Sequence, residues 1–161
     1  MLRNMTSIFI SRGEEVLMLY RVGSRAIEPS WVGIGGHMEP EEIHDPQACV
    51  LRELSEEVGL TGEDLEGLTL RYVSLRHNGK ELRQNFYFFA ELKGEKRDLP
   101  CSEGTLAWVK WDKVPELHMP VTARNALEHY LAVGRYDTKI YGVVTGADMR
   151  ATVIPLTEED R

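Results

Sequence analysis

The segment Ala48-Cys49-Val50-Leu51-Arg52-Glu53-Leu54-Ser55-Glu56-Glu57-Val58-Gly59-Leu60 contains the most informative pattern in this chain. Apolar residues recur through it with helical spacing, which predicts a helix over residues 46–58. At about 100° per residue, Glu53, Glu56 and Glu57 share one side of that helix. Gly59 is well placed to end it. The opposite side is an apolar face formed by Ala48, Leu51, Leu54 and Val58.

The three acidic side chains at i, i+3 and i+4 allow two interpretations. In the first, they form an ordinary solvated face on which Arg52 pairs with Glu56. In the second, they bind a hard cation, because Mg²⁺ prefers oxygen ligands and is held by a few carboxylates together with substrate phosphates. Stability alone disfavours the arrangement, since neighbouring like charges repel and glutamates near a helix C-terminus oppose the helix dipole. The helix by itself leaves both interpretations open.

A glycine-rich loop runs directly into the predicted helix, with the sequence Trp31-Val32-Gly33-Ile34-Gly35-Gly36-His37-Met38-Glu39-Pro40-Glu41-Glu42. Glycines let the backbone approach a ligand closely and free a carbonyl or N–H to contact it. The loop is not a Walker A motif, since no Gly-Lys-Ser/Thr follows, and it does not fit G-x-G-x-x-G. Its place before the acidic helix favours the cation-binding interpretation.

Gly36, Glu42 and the segment Arg52–Leu60 together resemble the Nudix box, G-x5-E-x7-R-E-U-x-E-E-x-G-U, in which U is an apolar residue. Nine residues rather than seven separate Glu42 from Arg52, which indicates a two-residue insertion in the loop before the helix. The resemblance implies a single Nudix hydrolase domain over residues 1–161, with its box at 36–60. It also implies an α/β fold, the Nudix-type α/β/α sandwich with a mixed β-sheet.

The same resemblance implies hydrolysis of a diphosphate linked to another group, with Mg²⁺ or Mn²⁺ as the cofactor and water as the nucleophile. It assigns Glu53, Glu56 and Glu57 to catalysis and to metal binding, and the carbonyl of Gly36 to metal binding. Arg52 matches the arginine whose salt bridges orient these glutamates. Bound cations neutralise charge on phosphate oxygens and lower the pKa of bound water, which is the chemistry such a reaction needs.

Five further residues are candidates for the site. Many members of the family add an acid from a later loop, and Glu103 matches it as an extra metal ligand or general base; the alternative is an ordinary turn acid. Arg21 and Arg25 follow the second predicted strand and are candidates for contacts with phosphate or base, or else plain surface arginines. Trp31 is a candidate for stacking on a base or for the core. His118 is a candidate for a hydrogen bond to the base or for an exposed side chain.

Residues that distinguish the branches of the family lie downstream of the box, and they reduce the number of substrate classes that the resemblance implies. The ADP-ribose branch has a proline soon after the box, but none occurs between Pro46 and Pro100. The tyrosine of the dinucleoside polyphosphate branch and the proline-rich run of the NADH branch are also missing. What remains resembles the MutT-like branch, which hydrolyses nucleoside triphosphates such as 8-oxo-dGTP to the monophosphate and pyrophosphate. Two alternatives stay open: a hydrolase of ADP-ribose or a nucleotide sugar, and a non-catalytic nucleotide-binding sensor.

Composition restricts the partners. The chain has 161 residues, with 19 basic and 26 acidic side chains and a net charge of −7. That is a poor surface for a nucleic-acid polymer, so the expected partner is a small-molecule nucleotide. No stretch approaches the ~18 apolar residues of a membrane span, and two cysteines are few for a secreted scaffold, so a cytoplasmic location is expected. Dimers are common in the family, which makes a homodimer a further expectation.

Patterns elsewhere predict a mixed sheet with helices on its faces. Asn78-Gly79 predicts a hairpin turn, Ser30–Met38 a loop or broken strand, and Gly134 the end of a second helix. The predicted strands are Thr6–Ile10, Val16–Tyr20, Leu68–Leu75, Gln84–Leu92, Ala107–Trp111, Lys139–Val144 and Ala151–Ile154, and the predicted helices are Pro46–Val58 and Ala123–Ala132.

Overall fold

The structure is a computed structural model, and it describes residues 1–22 and 28–158. Strands and helices are interspersed along the chain, as in an α/β fold. In chain order they are β1 (Leu2–Arg12), β2 (Glu15–Arg21), β3 (Ser30–Val32), β4 (Ile34–His37), α1 (Pro46–Val58), β5 (Leu65–His77), β6 (Leu82–Leu92), β7 (Gly104–Lys110), α2 (Val121–Ala132), β8 (Tyr141–Thr145) and β9 (Ala151–Pro155). Short 3-10 turns lie at Pro40–Glu42, Gly62–Asp64, Trp111–Glu116 and Gly134–Tyr136.

The described strands form one mixed sheet. β1 runs parallel to β6 and β5 runs parallel to β8, while the other strand pairs are antiparallel. β1 and β2 pair only near their hairpin, at Ile10–Arg12 and Glu15–Leu17, and then separate. The segment Ser30–His37 fills the gap, with β3 on β2 and β4 on β1. The broken strand expected at Ser30–Met38 is therefore confirmed, and its break is Gly33.

Each face of the sheet is covered by one helix. Ile8 and Ile10 of β1 pack with Val50, Leu54 and Val58 of α1 in one core cluster. Phe9, which points the opposite way along β1, packs in a second core cluster with α2, whose buried residues include Ala123, Ala126 and Leu127. The predicted α/β/α sandwich with a mixed sheet is confirmed.

Helix α1 has the predicted bounds because both of its ends have local stop signals. The Asp45 side chain accepts a hydrogen bond from the Ala48 N–H, Pro46 occupies the first turn, and Gly59 ends the helix at a φ of 73°. The predicted apolar face was partly wrong, since Ala48 is exposed. Its place toward the sheet is taken by Cys49 and Val50, which are fully buried.

Helix α2 begins earlier than predicted, at Val121, and Gly134 does not cap it. The helix ends at Ala132 with Val133 as the cap, and Gly134 instead opens a 3-10 turn. A Cβ at Gly134 would lie 2.2 Å from the Tyr72 hydroxyl oxygen, so this glycine permits close packing on β5. The seven predicted strands are all present, but their ends differ from the predicted ones by a few residues. The ends of a strand depend on its pairing with other strands more than on the local sequence pattern.

The hairpin β8–β9 extends the sheet beyond β5, with β9 outermost. In this pairing Pro155 stands opposite Tyr141, and the next residue, Leu156, donates its N–H to the Ile140 carbonyl at 2.7 Å. Arg71 of β5 ties the preceding segment down, donating to the Gly134 carbonyl, the Lys139 carbonyl and the Asp137 carboxylate. Within the described residues, neither helix has the length and apolarity to cross a membrane.

Candidate active site

The guanidinium of Arg52 joins the start of the site to its helix. Its Nε and Nη2 donate to the two carboxylate oxygens of Glu42, at 2.5 and 3.0 Å. Its Nη1 donates to Glu53 and to Glu56, both at 3.1 Å. Its Nη2 also donates to the carbonyl oxygen of His37 at 3.1 Å. One planar group thus holds the loop backbone and three carboxylates together, the use for which arginine is suited.

Glu42 is the buried end of this network, at 6% exposed. The hydrogen bond from Arg52 is the main reason that its pKa is lowered to about 2, and the Glu39 N–H adds a further bond at 2.9 Å. Glu42 closes the 3-10 turn Pro40–Glu42, three residues before the cap of α1. The two extra residues between Glu42 and Arg52 are thus accommodated in the loop without separating the two charges.

Glu57 is buried and incompletely paired. Its Oε2 is fully buried and has no hydrogen-bond partner among residues 1–22 and 28–158. The pKa of Glu57 is raised to about 7, mainly by burial and also by the negative charges of Glu53 and Glu103, while Arg21 and a hydrogen bond from the Gly35 backbone N–H oppose the shift. The burial of Glu57 does not fit the first interpretation, an ordinary solvated face, because Cys49, Glu53 and Glu57 of α1 face β4.

Gly36 lies against the carboxylate of Glu53. A Cβ at this position would come within 2.5 Å of Glu53 Oε1, so a larger residue would displace that carboxylate. Gly36 pairs with Thr6 across β4 and β1, which fixes its backbone. The loop glycine and the helix glutamate predicted to share a metal are therefore neighbours.

These groups fit a hard cation, although they are not arranged around one. In the part of the chain that the structure describes, no three His, Cys, Asp or Glu side chains already form a ligand cluster. Glu53 and Glu56 instead share the guanidinium of Arg52. The buried oxygen of Glu57 and the nearby charge of Glu53 leave negative charge that a cation would neutralise. All the predicted donors are oxygens, which suits Mg²⁺ or Mn²⁺.

A NUDIX domain family model matches residues 1–132. The chain belongs to the Nudix family. As a Nudix hydrolase it acts on pyrophosphate bonds of small molecules.

Solved structures share the fold of this Nudix hydrolase. The MutT protein from Bacillus halodurans has a TM-score of 0.69 and 23% identity, over 97% of this chain and 99% of that one. The MutT NUDIX hydrolase from Burkholderia pseudomallei has a TM-score of 0.63 and 23% identity, over 80% and 97% of the two chains. The E. coli ORF135 protein has a TM-score of 0.65 and 17% identity, over 84% and 92%.

Two predicted residues, Arg21 and Glu103, meet at the edge of the Nudix site. Arg21 Nη2 lies 3.4 Å from Glu103 Oε2, and both side chains are about two-fifths exposed. β2 and β7 pair Arg21 with Gly104, where a Cβ would lie 2.1 Å from the Tyr20 carbonyl oxygen. This glycine lets the Glu103 turn close against β2. The charge of Glu103 acts on Glu57, so the later loop reaches the acidic helix.

The remaining substrate candidates form a separate group. The Trp31 N–H donates to the His118 carbonyl at 2.9 Å, so the structure brings the two residues together through their backbones. The Trp31 ring packs on Tyr20 at 5.1 Å, and it contacts the core cluster of α2. The His118 imidazole is exposed and lies 3.5 Å from Glu28 Oε2. Arg25 lies outside the described residues.

Two features near the site have no signal in the amino-acid sequence. The His37 carbonyl accepts from Arg52, a backbone role that no side-chain pattern predicts. Arg3 and Arg83 become neighbours through the parallel register of β1 and β6, although they are 80 positions apart.

Proposed function

We propose that this Nudix hydrolase is an Mg²⁺-dependent pyrophosphohydrolase that converts a nucleoside triphosphate, including an oxidised one such as 8-oxo-dGTP, to the monophosphate and pyrophosphate. The observation that supports it is the buried, unpartnered oxygen of Glu57 beside the contact between Gly36 and Glu53. A buried charge without a partner is costly, and a cation shared with substrate phosphates removes that cost. The MutT proteins that share the fold make a triphosphate the first substrate to test.

In this proposal the residues of the candidate site have distinct roles. Glu53, Glu56, Glu57 and the Gly36 carbonyl would hold Mg²⁺ or Mn²⁺, which supplies charge neutralisation at the phosphate oxygens and a lower pKa for water. Arg52 holds the glutamates in position through hydrogen bonds, as supporting residues do around metal sites.

Glu103 and Arg21 stand at the rim, where they can reach the substrate from the later loop. Glu103 is exposed and forms its ion pair with Arg21 at 3.4 Å, whereas Glu53 is half-buried and bonded to Arg52. We therefore propose that Glu103 is the general base, which accepts a proton from the attacking water, and that Arg21 contacts a phosphate. The water oxygen bonds to one phosphorus of the P–O–P linkage between the α- and β-phosphates, the bond from that phosphorus to the bridging oxygen breaks, and the proton accepted by Glu103 passes to the departing oxygen, which gives the monophosphate and pyrophosphate.

Replacing Glu57 tests the acidic site. Glu57→Gln keeps the shape of the side chain and removes one charge, and we expect turnover to fall by roughly 10²-fold or more, since the charge stabilisation supplied by metals is large. Glu63→Gln, an equal change in the exposed turn Gly62–Asp64, is the matched control and should leave turnover unchanged. Equal activity of Glu57→Gln and the wild type would refute the assignment.

A nucleotide panel tests the substrate. Purified protein with Mg²⁺ is given dGTP, 8-oxo-dGTP, ADP-ribose and a nucleotide sugar, and products are identified by chromatography. We expect pyrophosphate from the triphosphates. A strong preference for ADP-ribose or the nucleotide sugar would replace our substrate with the alternative that the sequence left open. Binding of nucleotide with no release of phosphate or pyrophosphate would favour the sensor.

A further inference from the structure

The acidic helix α1 meets the sheet through a buried polar contact to which the proposed function assigns no role. The Oγ1 of Thr6, in β1, lies 3.2 Å from the Sγ of Cys49, in α1. Thr6 is 1% exposed, and Cys49 is fully buried. A hydroxyl at this depth must be paired, because an unpaired buried polar group is costly. The thiol of Cys49 is the partner that Thr6 has in the acidic helix.

The register of the sheet places this contact beside Gly36. Thr6 pairs directly with Gly36 across β1 and β4, and residues that pair directly point to the same face of a sheet. Cys49 precedes Glu53 by one helical turn. Two contacts therefore join successive turns of α1 to neighbouring positions of the sheet, Thr6 with Cys49 and Gly36 with Glu53. The first contact fixes the distance of α1 from the sheet one turn before Glu53.

Strand β4 lies so close to β1 that it cannot adjust its own position. A Cβ at Gly35 would overlap the carbonyl oxygen of Thr6, which shows how closely the two backbones approach. The separation between Gly36 and Glu53 therefore depends on where α1 sits. Thr6 acts on both sides of that separation, because its backbone pairs with β4 and its hydroxyl contacts α1.

The thiol of Cys49 also reaches the hydrogen bonds of Arg52. Its Sγ lies 3.7 Å from the His37 carbonyl oxygen, to which the S–H donates, and 3.9 Å from Arg52 Nη2. A thiol that donates to the His37 carbonyl can still accept a hydrogen bond from the hydroxyl of Thr6. Arg52 in turn bonds to Glu53. The Thr6 hydroxyl is thus connected to a candidate metal ligand through Cys49 and Arg52.

We propose that Thr6 is a positioning residue for the candidate metal site, and that its buried hydroxyl acts through Cys49 to fix the distance between Gly36 and Glu53. This inference rests on the proposed function of the same site. Mg²⁺ demands near-ideal octahedral geometry, so a small error in the distance between two ligands weakens its binding. Loss of the Thr6 hydroxyl therefore lowers metal affinity although every proposed ligand is still present.

Binding of Mn²⁺ alone tests this role without requiring turnover. Electron paramagnetic resonance measures the free ion during a titration with no nucleotide present. Thr6→Val keeps the shape of the side chain and removes the hydroxyl, and we expect the Kd for Mn²⁺ to rise roughly fivefold or more, since residues that support metal ligands contribute strongly to affinity. Thr6→Ser keeps the hydroxyl and should bind Mn²⁺ within about twofold of the wild type.

Thr145→Val is the matched control. The Thr145 hydroxyl is also buried, at 5% exposed, and it accepts a hydrogen bond from Asn125 of α2 at 3.2 Å, on the opposite face of the sheet from α1. The control makes the same chemical change, and it should bind Mn²⁺ like the wild type. Circular dichroism checks that each variant is folded. Equal affinities of Thr6→Val and Thr145→Val, or weak binding by folded Thr6→Ser, would overturn the proposal.

A double-mutant cycle tests whether Thr6 acts through Cys49. Residues that act through one contact have non-additive effects, so Thr6→Val combined with Cys49→Ala should bind Mn²⁺ no more weakly than Cys49→Ala alone. Losses that multiply would show that the two residues act separately, against the proposal. A wild type that binds no Mn²⁺ would overturn the proposed function together with this role. A wild type that binds, with Thr6→Val unchanged, would overturn the positioning role alone.

Discussion

Gly36 is the residue at which one added methyl group has the most specific consequence. A Cβ there would sit 2.5 Å from Glu53 Oε1, whereas a Cβ at Gly62 would meet only methyl groups of Leu51 at 3.8 Å. We expect Gly36→Ala to displace the Glu53 carboxylate and lower turnover at least tenfold, since small displacements of catalytic groups are costly. Gly62→Ala, the control, should keep full activity. Both are measured by steady-state hydrolysis with Mg²⁺.

Glu42 makes stability depend on pH in a predictable direction. Its pKa is lowered to about 2 by Arg52, so its ion pair stabilises the fold above the unfolded pKa of about 4.3 and is lost as the pH falls toward 2. We expect Glu42→Gln to lower the free energy of unfolding by about 1.5–3 kcal/mol at pH 7. The difference from the wild type should shrink between about pH 4 and pH 2.

Denaturant unfolding at several pH values measures this difference. The neighbouring exposed residue provides the control, because Glu41→Gln should change stability little at any of these pH values. A constant difference between Glu42→Gln and the wild type down to pH 2 would show that the Glu42 charge is not what stabilises the loop.

At the scale of elements, α1 was predictable because its signals are local. Asp45, Pro46 and Gly59 mark its ends within the sequence itself, and the structure has the same bounds. Which side of the helix faces the sheet was less predictable. Periodicity placed Ala48 inside and Glu57 outside, but the direction of burial depends on where β4 lies, and β4 is positioned by its pairing with β1.

The candidate site also has parts that local sequence patterns predict and parts that depend on tertiary contacts. Spacing alone showed that Glu53, Glu56 and Glu57 share one side of α1, whereas their assignment as metal ligands came from the resemblance to the Nudix box and stays a prediction. The link to Glu42 was less certain from the sequence, because loop length says little about where a loop returns. The pairing of Arg3 with Arg83 was not predictable, because the two residues belong to strands whose register is set by tertiary packing. Arg25 is a prediction that the described residues leave untested.

For the whole molecule, the order of strands depends on contacts that no local pattern contains. β1 pairs in parallel with β6, about eighty residues later, and the segment Ser30–His37 enters the gap between β1 and β2. The family match ends at residue 132, yet β8 and β9 continue the same sheet. The Bacillus halodurans structure, aligned over 97% of this chain, shows that such an extended arrangement has a counterpart.

The hydrogen bonds of Arg71 hold the segment that precedes the hairpin β8–β9 against β5, so this residue should stabilise the hairpin. Its guanidinium bonds to the Gly134 carbonyl at 2.6 Å, to Asp137 at 3.0 Å and to the Lys139 carbonyl at 2.9 Å, and the residue is 8% exposed. Arg71→Met preserves much of the apolar stem and removes these bonds. We expect amide hydrogen exchange in residues 141–155 to become roughly tenfold faster, because local opening needs less free energy.

Exchange followed by mass spectrometry measures this, with Arg97→Met as the control for loss of an exposed arginine. Residues in β1 and β2 should keep their protection in both variants. Equal loss of protection across the whole sheet would show that Arg71 supports the fold generally and not the hairpin.

The outer strand β9 ends at Pro155, and the bond from Leu156 to Ile140 flanks the Pro155–Tyr141 pair. In an antiparallel ladder this geometry turns the ring nitrogen of Pro155 away from β8, toward open solvent. Because proline has no backbone N–H, a strand from another molecule could accept no hydrogen bond at Pro155, and the proline ring would obstruct its approach. Pro155 thereby opposes edge-to-edge aggregation at this end of the outer strand β9, where unpaired backbone groups could otherwise bond to another molecule.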